Sequence, residues 1–95
     1  MATLHIEHAI TDYALWKAAF DRFAPAREQA GVLGHRVHRP VNDPAYVLID
    51  LEFADAKQAA TFLTFLQTSV WSSAQAAPAL VGTAKTRILE LSDQG

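Results

Sequence analysis

The sequence predicts an α+β domain in which a four-stranded antiparallel sheet carries its helices on one face, in the element order βαββαβ. Two stretches alternate apolar and other residues with a period of two, Leu4/Ile6/Ile10 and Val47/Ile49/Leu51/Phe53, as half-buried strands require. Two others repeat at offsets of three and four, Tyr13/Trp16/Phe20/Phe23/Arg27 and Ala59/Phe62/Leu63/Leu66, as amphipathic helices require. Between the second and third strands lies Pro40-Val41-Asn42-Asp43-Pro44, a cluster that cannot continue a ladder and suits a hairpin turn.

The first strand is expected over residues 3–10, with Leu4, Ile6, His8 and Ile10 on the face toward the helices and His5 and Glu7 on the other. Thr11 or Asp12 suits the N-cap of the first helix, because a side-chain oxygen there accepts from the free amides of the first turn. That helix meets Pro25, whose missing amide predicts a kink or a break and restart, and Gly31 stands where a left-handed C-cap is wanted. A second strand follows over residues 32–39 and a third over 45–53. Asp55 caps the second main helix, with Gln58 in the capping-box position. Thr68 and Ser69 offer a fresh cap for a short helix carrying Val70 and Trp71, which ends before Pro78. Gly82 opens a last strand through Leu91. This order is the split βαβ, or ferredoxin-like, arrangement. Its second sheet face is left uncovered, carrying His5, Glu7, Arg36, His38, Tyr46, Leu48, Asp50 and Glu52. Such a mixed surface is most simply buried against a second copy of itself, as a homodimer.

The 95 residues make one domain, 1–95. The formal net charge is −2 with eight Lys and Arg spread along the chain, so no basic stripe for nucleic acid is expected. Cysteine is absent, which removes disulfides, thiolate nucleophiles and thiolate metal sites. No basic, then apolar, N-terminal pattern and no membrane-length apolar run is present, so the expectation is a cytoplasmic protein with no membrane partner.

His8 is the candidate catalytic residue. It shares a strand face with Leu4 and Ile6 and points toward a helix layer bearing Trp16 and Phe20, where an imidazole can exchange a proton near neutral pH. The competing reading is a core-edge histidine bonded to backbone. Tyr13, Trp16, Phe20, Phe62 and Trp71 are the candidate pocket residues for a hydrophobic, aromatic molecule, although aromatic residues at helical spacing also build plain core. Arg27 either reaches an anionic substrate or pairs with a surface carboxylate, the second being the expectation. Four histidines invite a metal site, but His5 and His8, like His35 and His38, are three apart on a strand and so leave opposite faces. No metal and no cofactor are expected. His5, Glu7, Arg36, His38, Tyr46 and Asp50 are instead expected to form a polar cluster at the dimer face.

Three motifs carry a family resemblance: His-x-x-x-Asp-Tyr-x-x-Trp-Lys-x-x-Phe from His8 to Phe20, Gly-x-Arg-Val-x-Arg from Gly34, and Asp-Pro-x-x-Val-x-x-x-Leu-Glu-Phe ending at Phe53. With the element order, the chain resembles the dimeric α/β-barrel superfamily, near the antibiotic biosynthesis monooxygenase-like proteins. The resemblance implies two sheets facing each other in a homodimer and a pocket between each sheet and its own helices. It also implies an activity drawn from a wide set that includes cofactor-free monooxygenases, haem-degrading enzymes and proteins of no known activity. Two functional readings follow: an enzyme in which His8 deprotonates a phenol-like substrate for reaction with oxygen, and a non-catalytic binding or interaction module with structural histidines.

Overall fold

The computed structural model describes residues 1–95. The elements are β1 (Ala2–Ile10), α1 (Tyr13–Arg22), α2 (Ala24–Gln29), β2 (Gly34–His38), β3 (Tyr46–Phe53), α3 (Ala56–Phe65) and β4 (Leu80–Glu90). All pairings are antiparallel in the order β2-β3-β1-β4, so the two central strands are the ones whose alternation was clearest. This is the ferredoxin-like α+β fold, and the sheet is open rather than a closed barrel. No helix is long and apolar enough to cross a membrane.

Burial alternates strictly along both central strands. Leu4 faces Leu51, Ile6 faces Ile49 and His8 faces Val47 on the side covered by the helices. Trp16, Ala19, Ala59 and Phe62 supply the helical side of that core. Phe53 is fully buried and its ring lies 5.9 Å from that of Phe62.

Both helix starts follow the sequence. The Leu15 N–H donates to Asp12 at 2.9 Å, and the Gln58 N–H donates to Asp55 at 2.8 Å. A side-chain cap of this kind contributes about 1 kcal/mol. Asp55→Ala is therefore expected to lower the thermal midpoint by roughly 4–8 °C in a domain of this size, and an unchanged melting curve would contradict the cap.

The helix breaks at Phe23 and restarts as α2, with Pro25 in the first turn, where its missing amide costs nothing. α2 ends in a Schellman motif: the Val32 N–H donates to the Arg27 carbonyl and the Gly31 N–H to that of Glu28. Gly31 supplies the left-handed backbone, φ +88°, that the motif needs. Because Val32 finishes this cap, β2 is shorter than the expected 32–39.

Two expectations about the second half are overturned. Thr68 and Ser69 start no new helix. α3 instead runs on through a π turn, Leu66–Val70, in which the Trp71 N–H donates to the Leu66 carbonyl at 2.7 Å. The Thr68 hydroxyl bonds back to the Thr64 carbonyl at 2.8 Å, and a hydroxyl used this way is not free to cap. Nor does Gly82 open β4. It lies inside the strand with φ +71°, where the register to β1 shifts between Glu7 and Ala9.

Candidate functional site

Between the sheet and its helices is an apolar cavity with about 80 Å³ open to the centres of water-sized atoms. One water needs about 10–15 Å³ in that measure, so the space is larger than a single water requires. Trp16 and Phe20 of α1, stacked at 4.9 Å, form one wall; Phe62, Leu66, Val70 and Trp71 form another; the segment from Ala76 to Leu80 closes the rim. The π turn brings Val70 and Trp71 onto this wall, a common use of such turns. His8 and Arg27 are the only ionisable side chains in the lining.

His8 is 5% exposed. Its Nδ1 lies 2.9 Å from the Ala9 carbonyl oxygen, which can only accept. The ring proton of the neutral imidazole therefore sits on Nδ1, and Nε2 carries the lone pair. Nε2 bonds nothing in the protein, yet no sealed side-chain nitrogen or oxygen lacks a partner, so Nε2 keeps contact with open space. Burial holds the His8 pKa below the ordinary histidine value, against the smaller opposing pull of the Ala9 carbonyl. Near neutral pH the ring is an uncharged acceptor. The register shift at Gly82 leaves His8 without a partner in β4, so the ladder is interrupted beside it.

Arg27 corrects the expectation of a surface ion pair. It is 7% exposed, its Nη1 donates to the Phe20 carbonyl at 2.6 Å, and its guanidinium carbon lies 3.7 Å from the centre of the Phe20 ring. No carboxylate pairs with it. The carbonyl it meets is at the C-terminal end of α1, where it also accepts from the Phe23 N–H at 3.2 Å and where a cation is favoured.

The opposite sheet face holds a polar lattice. His5 Nδ1 lies 2.6 Å from Asp50, His5 Nε2 lies 2.9 Å from Glu7, and the Tyr46 hydroxyl donates to Glu7 at 2.8 Å. Carboxylates on both nitrogens favour the doubly protonated form of His5; its pKa is raised chiefly by the bond to Glu7, while that of Glu7 is lowered chiefly by His5. A raised histidine loses its stabilising contribution as pH climbs through its folded pKa, and a lowered carboxylate loses its own as pH falls through its folded pKa. The lattice is complete between those two limits.

Trp16, Phe20, Phe62 and Trp71 meet in the cavity lining with His8, whereas Tyr13 does not. Tyr13 is the first residue of α1, its ring lies 5.8 Å from Trp16, and the Arg39 guanidinium covers it at 4.0 Å. On the open face His5, Glu7, Tyr46 and Asp50 bond together. Arg36 and His38 share the face, opposite Asp50 and Leu48, without a hydrogen bond or ion pair. Lys85 and Arg87, opposite Glu7 and His5, also stand on this face and were not foreseen. Their alternation in the sequence was visible, but their face depends on the register shift. His5 and His8 leave β1 on opposite faces, and in the one place where three such groups meet, His5 with Asp50 and Glu7, the carboxylates bond to the two histidine nitrogens and are not arranged around a common point for a metal ion.

Fold and cavity together define a class: ferredoxin-like proteins with an apolar chamber between sheet and helices, here furnished with one neutral histidine and one buried arginine. Neither a family profile nor a curated protein matches the sequence. Solved structures do. SnoaB, a cofactor-independent oxygenase from Streptomyces nogalater, superposes with a TM-score of 0.73 at 17% identity, over 98% of this chain and 94% of that one. A Bordetella bronchiseptica protein provisionally named an antibiotic biosynthesis monooxygenase gives 0.73 at 12% identity, over 96% of this chain and 97% of that one. A dimeric ferredoxin-like protein from an uncultured marine organism gives 0.66 at 14% identity, with 97% of each chain covered. At such identities the likeness is one of fold.

Proposed function

We propose that the protein is a homodimer whose subunits each bind a hydrophobic, aromatic small molecule in the cavity, and that it acts as a cofactor-independent monooxygenase. The observation that carries this reading is His8: a buried imidazole, fixed as the Nδ1–H tautomer, with an unengaged Nε2 and a cavity lining otherwise made of aromatic and aliphatic side chains and Arg27. Nε2 takes the hydroxyl proton of a phenol-like substrate. The electron-rich ring carbon of the phenolate then bonds to dioxygen, the peroxide anion takes the proton back from the imidazolium, and loss of water leaves a quinone. One oxygen atom of O2 enters the product and the other leaves as water, so no external reductant is needed. Trp16 and Trp71 shape the space and exclude bulk water from the anion.

The homodimer reading draws support from the open sheet face. Half-exposed Leu89 and part-buried Leu48 lie there among charges of both signs, Glu52 and Asp50 with Arg36, Lys85 and Arg87, a pattern that a two-fold axis can make self-complementary. The marine relative in fold is itself described as dimeric. Native mass spectrometry of freshly purified protein tests both halves. A dimer is expected, carrying additional mass in the range of a small aromatic compound. A clean monomer would overturn the sheet-to-sheet pairing, and a dimer that neither retains nor takes up any aromatic compound would favour the non-catalytic module.

A further inference from the structure

The mechanism above makes no use of Arg27, yet Arg27 is the least expected group in the cavity. A guanidinium offers five N–H donors and stays charged at any physiological pH. Here one donor is spent on the Phe20 carbonyl and the cation face is covered by the Phe20 ring. Nε and Nη2 bond nothing in the protein. Since no sealed side-chain nitrogen lacks a partner, both keep contact with open space, and Arg27 lines the cavity. The Asp21 carboxylate acts on this charge only through space and forms no ion pair with it. A charge taken out of water without a bonded counter-ion is costly, and a guanidinium presents paired donors that match a carboxylate.

We propose that Arg27 makes the cavity selective for an anion: the ligand is a flat aromatic acid whose carboxylate rests on the free edge of the Arg27 guanidinium while its ring fills the apolar space. This rests on the reading of the cavity as the site of an aromatic molecule, and it names the class. The fold also sets the ligand's orientation. Arg27 bonds through its carbonyl to Val32, and the next residue, Leu33, donates to Glu52, which stands opposite Thr3. The Arg27 backbone thus lies near the start of β1, whereas His8 lies near its end. A carboxylate at one end of the molecule and an ionisable hydroxyl at the other engage the two polar groups together, with only apolar surface between them.

The probe is 6-hydroxy-2-naphthoate, compared by fluorescence titration with its primary amide, which has the same shape and no charge. The carboxylate is expected to bind at least tenfold more tightly than the amide, and Arg27→Gln to abolish that preference while changing the amide's affinity by less than twofold. Equal binding of the two, or a preference that survives in a folded Arg27→Gln protein, would overturn the anion selectivity and leave the aromatic cavity standing. Binding of neither would overturn both. The wild-type comparison decides by itself if the variant does not fold.

Discussion

His8→Ala is expected to fold and to lose oxygen-consuming turnover by about 10²–10⁴-fold, the usual contribution of a positioned general base. The test substrate is whichever of a panel of one- and two-ring phenols the wild type consumes oxygen with fastest. The pH dependence has a definite sign. Burial lowers the His8 pKa, so the active, unprotonated imidazole is retained to lower pH than an exposed histidine would allow and its fraction rises with pH. Wild-type kcat/KM should therefore fall on the acid side, below the ordinary histidine pKa, and that limb should vanish from any residual activity of the variant. The same shift acts on stability. The unfolded chain binds the His8 proton more readily than the native one, so the native state loses stability as pH drops below the ordinary value. The variant should lose less on acidification than the wild type. Turnover within about threefold of wild type would remove His8 from the chemistry.

Phe53→Ala is expected to cost about 3–5 kcal/mol, the range for emptying a fully enclosed aromatic site. Phe53 ends β3 with no exposed surface, pairs in register with Ala2 and packs on Phe62, so neither a solvent path nor a flexible neighbour can fill the space. Against a total stability of about 5–15 kcal/mol, the loss is a large fraction of the whole. Urea unfolding followed by circular dichroism measures it directly. A cost below about 1.5 kcal/mol would mean that the α3 end of the core collapses onto the gap.

The parts of this fold that were legible in the sequence are those that depend on a single element's own pattern. β1 and β3 announce themselves because one face of each is dry, and Asp12 and Asp55 because a cap acts within one turn. What was not legible depends on a second element. Gly82 signals either the start of a strand or a bulge within one, and only the pairing with Glu7 and Ala9 decides between them. Thr68 and Ser69 carry the same hydroxyls whether they cap a helix or bond back along it. Arg27 was placed on the helical stripe but assigned to the surface, because a charge is rarely buried; its bond to Phe20, seven residues earlier, crosses the interruption between α1 and α2. The aromatic wall and His8 were recognised from strand and helix faces. Tyr13 was not excluded, because periodicity fixes a side of the helix and not how far along the axis the cavity extends.

The π turn in α3 also bears on how such a chamber can diverge over evolutionary time. A π turn is a helix holding one residue more than its regular winding accommodates, and each residue of a regular helix advances the chain by about 100°. A one-residue deletion between Leu66 and Val70 would let the turn close to regular winding while the side chains beyond it, Trp71 among them, keep their heading relative to the sheet. Gain or loss of a single codon at this point would thus alter the wall only within the turn itself, leaving Trp71, β1, β3 and their buried faces in place, so the turn is a point at which the chamber tolerates a change of length.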